Sequence, residues 1–388
     1  MQSPKVIAIN NAFPEDPTDT YFGTMNILVS EHCRYFANSG FPCLAIGLHA
    51  LNRPSRFVHN YTNKDGTRVS ETVFWRKLEK RGVDVRIPAV LTALYVRSKY
   101  RKMHATTPIL AHNTLWSGIV AYYTKKLFGL PYILIEHFSW FATNNVPSKY
   151  IDLARRALQA ADAVYAVSQP LQQTLIDYVG NSEFRCNIMP NVVDTNVFRP
   201  GLNEQRPHVP FRLACISALK QKKRVDLAIN LVNRLNSKGI RCELQVVGRG
   251  PIQPQLIDMA RDHSLPAETV TFRGYLDKPQ IAELLRTVDA LVVTSTYETF
   301  CIPVIEAHCM GIPVITTPCK GPEQLIDPSN GRVARDLSVE SLEAEVRHII
   351  NNYSTYDPEV IRKRALSRYA IDVVLDKFIA DHLTPNRV

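Results

Sequence analysis

The sequence predicts an α/β protein of two successive parallel-sheet domains, and three features of the 388-residue chain carry that expectation. Short apolar runs of strand length alternate with longer amphipathic segments from end to end, the pattern of β-α-β units. The pattern restarts after a polar, proline-bearing stretch near the middle. The length suits two domains, each able to bury its own core.

In the first half the apolar runs lie at residues 6–9, 43–47, 109–112, 132–135 and 163–167. Residues 26–37 carry apolar side chains at helical spacing and end near Gly40, where a helix would stop. Arg199-Pro200-Gly201, the polar residues 203–208 and Pro210 have the composition of a linker. Beyond it the runs recur at 212–216, 243–247, 269–272, 290–293 and 313–316. From Pro358 onward, Ala365, Tyr369, Val373, Val374 and Phe378 fall at helix-face spacing. The expected division is therefore 1–198, 199–365 and a terminal helix at 366–388. Ligands in such sheets bind at the carboxyl ends of the strands, which directs attention to the loops there and to a cleft between the domains.

Composition excludes several classes. With 45% hydrophobic and 21% charged residues, the chain is neither disordered nor of low complexity. Met1-Gln2-Ser3-Pro4-Lys5 leads straight into the first strand-like run, so no leader is expected. No stretch approaches the roughly 18–20 apolar residues that span a bilayer. The eight cysteines form no CxxC pair and have no histidine cluster at zinc spacing, which points to buried free thiols, a reducing compartment and the cytoplasm. Of the formal charge of +10, residues 53–102 carry +9: thirteen basic residues from Arg53 to Lys102 stand against Asp65, Glu71, Glu79 and Asp84. A solvated basic face, an anionic membrane surface or an acidic acceptor would each account for them. Nucleic acid is not expected, because no binding motif accompanies the charge. Residues 88–104 mix Val90, Leu91, Leu94, Tyr95 and Val96 with Arg97, Lys99, Arg101 and Lys102, a pattern that fits an interfacial helix on the inner membrane face.

The most informative stretch runs from Thr294 to Ala307. A strand ends near Val293, a loop carries Glu298, and Pro303 sits where the first turn of a helix tolerates it. Glu306 then lies about one turn inside. The unpaired amides at such a helix start form an anion site suited to phosphate or sugar oxygens, and a carboxylate beside them can accept from vicinal hydroxyls. Two glutamates eight apart recur by chance; their neighbours add specificity. Leu244-Gln245-Val246-Val247-Gly248-Arg249-Gly250-Pro251 is a strand entering a glycine turn. Lys220, Lys222, Lys223 and Arg224 follow the strand at 212–216, either as a solvated loop or as charges for a leaving diphosphate. Another strand runs into Lys320-Gly321-Pro322-Glu323.

Taken in order, these motifs resemble the donor domain of retaining glycosyltransferases of glycosyltransferase family 4, with the GT-B fold. Glu298 and Glu306 match the family's E-x7-E pair, Gly248-Arg249-Gly250-Pro251 its glycine turn, and Lys223 ahead of Val225-Asp226 its lysine. Pro190-Asn191-Val192-Val193-Asp194 with Phe198 and Pro200 resembles its hinge signature, and residues 163–168 the strand before it. The resemblance is nearly end to end and weakest between residues 51 and 100. It implies two Rossmann-like domains facing across a cleft, the first binding the acceptor and the second the nucleotide-sugar. Glu298 would face the donor sugar, the amides of Phe300, Cys301 and Ile302 would hold its hydroxyls and diphosphate, and Glu306 would bind the ribose. Lys223 would stabilise the departing phosphate, Gly248 would line the nucleotide, and Gly274-Tyr275 would meet the base. Gly23 resembles the family's phosphate-contacting glycine. The terminal helix would return to the first domain.

In the second half, two positions depart from the family, and beside Gly23 the usual second glycine of its loop is absent. Ala218 stands where an arginine often precedes the lysine by five residues, leaving Arg224, Lys220 or Arg249 to supply that charge. Cys301 stands where glycine often follows the phenylalanine. In the first half, His137 in Ile135-Glu136-His137-Phe138 resembles the family's histidine at a strand end, suited to hydrogen-bonding a sugar or handling a proton; His112 is a second candidate.

The expected activity is retaining transfer of a hexose or N-acetylhexosamine, from a UDP-sugar or GDP-mannose, to a glycan or lipid-linked acceptor in polysaccharide or glycolipid assembly. No Asp-x-Asp pair exists, so neither a metal nor another cofactor is expected. The alternatives are an epimerase or phosphorylase of the same architecture, or a non-catalytic sugar-nucleotide-binding protein. A nicotinamide dehydrogenase is excluded, because Asn10-Asn11-Ala12-Phe13-Pro14 offers no GxGxxG after the first strand.

Overall fold

The computed structural model describes residues 5–10, 23–48, 58–62, 66–72, 78, 82–103, 107–201, 206–262, 266 and 268–384. The chain forms two compact units, Met1–Pro190 with Val374–Val388, and Asn191–Val373.

The first unit contains β1 (Val6–Asn10), α1 (Gly23–Asn38), β2 (Cys43–Gly47), β3 (Val58–Thr62), β4 (Arg68–Thr72), α2 (Arg86–Met103), β5 (Ile109–His112), α3 (Ile119–Phe128), β6 (Tyr132–Glu136), α4 (Ile151–Ala160), β7 (Ala163–Ala166), α5 (Gln169–Val179) and β8 (Asn187–Ile188). Its strands lie in the order β3-β4-β2-β1-β5-β6-β7-β8, parallel except that β3 runs against β4. Every residue of β1, β2, β5 and β6 is buried. Helices on both faces of a parallel sheet make such strands continuously apolar, and hence visible in sequence. The β3–β4 hairpin was not expected: Val58-His59-Asn60-Tyr61-Thr62 interleaves polar residues, as an edge strand tolerates.

The second unit contains β9 (Phe211–Ile216), α6 (Val225–Ser237), β10 (Cys242–Val247), α7 (Gln253–Asp262), β11 (Val270–Gly274), α8 (Lys278–Arg286), β12 (Ala290–Val293), α9 (Ile302–Cys309), β13 (Val314–Thr316), β14 (Gly331–Val333), α10 (Val339–Asn351) and α11 (Pro358–Tyr369). Its sheet is parallel throughout, in the order β11-β10-β9-β12-β13-β14. The chain winds from β9 outward to β11, then returns to place β12 on the other side of β9. That reversal opens a crevice at the carboxyl ends of β9 and β12, where ligands bind in open α/β sheets. The first sheet reverses in the same way between β1 and β5.

Local signals set the helix ends. Ser168 caps α5 by accepting from the Leu171 amide at 3.3 Å, and left-handed Gly180 stops it. Asp277 and Gln280 form a reciprocal capping box on α8.

The divisions differ from the expected 198 and 365, falling at 190/191 and 373/374. Val193 explains both shifts: its amide donates to the Tyr369 carbonyl at 2.9 Å and its carbonyl accepts from Ile371 at 3.1 Å, so the outgoing and returning strands are joined within the second unit. The last helix, α12 (Ile371–His382), counts with the first unit from residue 374. There Phe36 stacks on Phe378 at 5.9 Å and the Tyr35 hydroxyl donates to Asp376 at 2.8 Å. Among the described residues no helix is long and apolar enough to cross a membrane.

Candidate functional site

In the second unit the site is assembled from the loops that follow β9, β10, β12 and β13. After β9 the chain runs over Ser217, whose amide donates to Val247 at 3.0 Å, and Leu219, whose amide donates to Arg249 at 2.9 Å. A single 3-10 turn, Gln221–Lys223, then lifts Lys223 into place, and left-handed Arg224 (φ 47°) turns the chain into α6. The loop after β12 grips this segment: Thr294 Oγ1 donates to the Lys223 carbonyl at 2.9 Å, and the Thr296 amide to the Lys222 carbonyl at 2.9 Å.

These contacts bring Lys223 and Glu298 together across the crevice. The Lys223 ammonium donates to Glu298 Oε1, and Ser295 Oγ donates to the same oxygen at 2.6 Å. The two side chains are 17% and 12% exposed, so water screens the pair poorly. Burial is the largest single influence on the Lys223 ammonium and pushes it down, but the Glu298 carboxylate together with Cys301 and Cys319 outweighs it, and the net shift is upward. Lys223 is therefore a charged lysine at neutral pH, not a neutral amine base.

The Glu298 backbone is fixed by the loop after β13. Its amide donates to Cys319 at 2.9 Å and its carbonyl accepts from Gly321 at 3.0 Å. A Cβ on Gly321 would lie 2.5 Å from both Thr299 O and Phe300 N, so only glycine permits this approach. Phe300 is buried and meets Tyr369 edge-on at 5.9 Å, anchoring the segment that enters α9. Cys301 adopts φ 78°, a left-handed region that favours glycine. Among the described residues, the amides of Phe300, Cys301 and Ile302 donate to no backbone oxygen. Glu306 follows within α9, 3% exposed.

Three thiols surround the pair, and none is a ready nucleophile. Burial pushes Cys215 up to about 12, Cys319 to about 11, and Cys301 well above its ordinary value. All three remain protonated near neutrality.

The glycine turn after β10 completes the site within the second unit. Gly248 has φ 134°, and a Cβ there would lie 1.8 Å from the Ser217 carbonyl. Its amide donates to Gly274 at 2.7 Å, tying the turn to the end of β11, with half-buried Tyr275 next in the chain. Arg224 is directed elsewhere: Asp226 clasps its guanidinium through contacts of 3.0, 3.0 and 2.8 Å. Arg249 and Lys220 remain exposed at the rim.

In the first unit, His112 Nδ1 and His137 Nε2 are 3.1 Å apart, with the rings stacked at 5.4 Å. Burial pushes His112 well below its ordinary value, and the neighbouring His137 and His32 add to the effect, so His112 is neutral. Gly23 is the first residue of α1 rather than part of the preceding loop, and residues 11–22 lie outside the described residues. Arg53, Arg56, Lys64, Arg76, Lys77, Lys80 and Arg81 of the basic window also lie outside them.

Three residues take on roles beyond those expected from the sequence. Ser295 shares the Glu298 oxygen, and Gly321 admits the Glu298 loop; a hydroxyl three residues before the glutamate and a glycine after the next strand were the available signals. Glu136, only 1% exposed, accepts from the amides of Thr114 at 2.7 Å, His137 at 2.9 Å and Phe138 at 2.8 Å. Its role depends on a contact 22 residues away, which no local spacing reveals.

Comparison with known proteins bears on the family and the fold. The model of the family described as Glycosyltransferase Family 4 matches residues 29–197, and that of Glycosyl transferases group 1 matches residues 203–370. Glycogen synthase of Mycobacterium tuberculosis is 30% identical over 204 residues, covering 48% of each chain. The chain spans about half the length of the curated relatives it matches. Among solved structures, sucrose-phosphate synthase of Thermosynechococcus elongatus superposes with a TM-score of 0.76 at 16% identity, covering 97% of this chain and 98% of that one. The Anabaena protein HepE, in complex with UDP and glucose, gives 0.74 at 14% identity, covering 97% and 99%. Two family models placed end to end, two parallel sheets with paired reversals, and the residues gathered at their strand ends give one conclusion: the chain belongs to the family 4 glycosyltransferases of the GT-B fold.

Proposed function

We propose that the protein transfers a hexose or N-acetylhexosamine from a nucleotide-sugar, with retention at the anomeric carbon, to a glycan or lipid-linked glycan. The observation that carries this reading is the Lys223–Glu298 pair, set at the reversal of the second sheet beside the open amides of Phe300, Cys301 and Ile302. Lys223 and those amides neutralise the departing diphosphate, a preorganised electrostatic role that requires no reorganisation during reaction. Glu298 accepts from the donor sugar and Glu306 from the ribose, while Gly248, Gly274 and Tyr275 line the nucleotide and base. A UDP-sugar is the favoured donor and GDP-mannose the competitor; the UDP complex of HepE supports the former.

Retention is proposed to proceed by same-face attack, with the leaving phosphate accepting the acceptor's proton. The protonated thiols of Cys215, Cys301 and Cys319 offer no sulfur nucleophile for a covalent enzyme intermediate. His137 contributes a hydrogen bond to donor or acceptor sugar. No metal or other cofactor takes part.

Attachment to an anionic membrane surface belongs to the same proposal, with the protein cytoplasmic and peripheral on the inner face. On α2, Ile87, Leu91 and Leu94 are 51%, 39% and 48% exposed, and their spacing puts them on one face. Leu127 of α3 is 47% exposed, and the last turn of α2 adds exposed Arg101 and Lys102. Apolar side chains enter the headgroup boundary while each basic residue contributes about 1 kcal/mol.

The deciding experiment mixes the protein with a panel of UDP- and GDP-sugars, a glycan extract and vesicles with or without anionic lipid. Transfer should release nucleoside diphosphate and give an α-configured product from an α-configured donor. Epimerised donor, phosphorolysis or binding without turnover would replace this reading. Sedimentation indifferent to lipid charge would remove the membrane from it.

A further inference from the structure

We propose that Trp116 and Trp140 form a stacking platform for a pyranose ring of the acceptor, held in register by Glu136. The proposal rests on the reading of the first unit as acceptor-binding.

The loop after β5 is costly to hold. Asn113 has φ 73°, and Trp116 has φ 65° with ψ −69°, a conformation bulky L-residues rarely adopt. Such strain persists only where the surroundings over-determine it. Here the Thr114 amide donates to Glu136 Oε2 at 2.7 Å, Gly118 N donates to Asn113 O at 3.0 Å, and Trp116 Nε1 donates to the buried Tyr150 hydroxyl at 3.2 Å.

The loop after β6 is bound to the same carboxylate. The amides of His137 and Phe138 donate to Glu136 Oε1, and Trp140 follows two residues later. Phe141 anchors that side by packing edge-on against Tyr178 at 4.7 Å. Glu136 therefore fixes two loops together, and their tryptophans meet with centroids 6.1 Å apart and planes 89° apart.

Trp116 and Trp140 remain partly exposed although Leu115, Ser117 and Phe141 beside them are buried. A perpendicular pair of indoles makes an apolar corner. It suits a pyranose chair, whose C–H face can lie on one ring while its equatorial hydroxyls point outward to water or to polar groups. Binding sites combine such aromatic walls with a few polar groups, and His137 lies three residues before Trp140. A nucleobase is the other flat ligand such a surface could take, but the proposed base contacts, Gly248 and Gly274, belong to the second unit.

The test exploits the protein's three tryptophans, of which the third is Trp75. In full-length protein carrying Trp75→Phe, indole emission reports on the pair alone. Titration uses methyl glucopyranosides, methyl N-acetylglucosaminides, maltose and chitobiose, with sorbitol as a hydroxyl-matched control lacking a rigid ring. At least one pyranoside should give a saturable change that sorbitol does not. Trp140→Ala should weaken that binding at least tenfold, Trp140→Phe should restore it to within about threefold, and UDP affinity should stay within twofold throughout. A response equal for sorbitol, no response to any pyranoside, or unchanged binding in Trp140→Ala would overturn the platform. Loss of UDP binding in the parent protein would instead count against the donor reading.

Discussion

The Lys223 ammonium and the Ser295 hydroxyl converge on one oxygen of Glu298, although lysine and glutamate are 75 residues apart and leave different strands of the second sheet. A buried ion pair of this kind gains little net stability from its Coulomb energy, because desolvation offsets it. Its proposed value lies in holding a charged lysine ready for a diphosphate before any ligand arrives.

Lys223→Ala and Glu298→Gln should each lower turnover by more than tenfold. Removing one partner of a buried pair typically costs about 3–5 kcal/mol, but Ser295 still serves the Glu298 carboxylate and glutamine preserves shape, so both variants should remain folded. Steady-state donor consumption with circular-dichroism melts separates the effects. Full activity in either variant would remove it from the proposed machinery.

Cys301→Gly should retain transfer and raise or preserve the melting temperature. The φ of 78° strains a residue with a Cβ by about 1–3 kcal/mol, and glycine relieves most of it. Gly321→Ala should do the reverse, since the added methyl meets Thr299 O and Phe300 N at 2.5 Å. Paired thermal melts and donor affinities read both; a harmless Gly321→Ala would show that the loops need not touch.

Acid should expose a charge network far from the site. Glu343 on α10 is held down to about 2, first by the Lys238 ammonium at 2.6 Å and then by Arg234 and Arg347, against the opposing effect of burial. Its unfolded value is about 4.3, so this stabilisation is complete above that pH and is lost as pH falls through about 2. Denaturant titrations of the wild type and Glu343→Gln should differ at pH 7 and converge by about pH 2. A constant difference would refute the linkage.

Chelation should leave transfer intact. Among the described residues no group of three or more His, Cys, Asp or Glu could hold a metal ion, and Lys223 with the amides before α9 is proposed to carry the diphosphate charge. Turnover measured in excess EDTA, then with added magnesium or manganese, decides this; strict dependence on either ion would assign the leaving group to a metal.

Strands buried on both faces, such as Val6–Asn10 and Ile109–His112, announced themselves as apolar runs, and the motifs around Glu298, Lys223 and Gly248 gave the family. Those signals are local: strand burial and glycine turns constrain residues only a few positions apart. The β3–β4 hairpin, the fixing of Glu136 by a loop 22 residues away, the capture of Arg224 by Asp226 and the closure of Val193 on Tyr369 and Ile371 were decided by the folded chain. Each depends on which strand neighbours which, or on which of several available charges lies within hydrogen-bond reach, and a linear pattern does not encode either. The chemistry was written in residue types, and its geometry was settled by strand order.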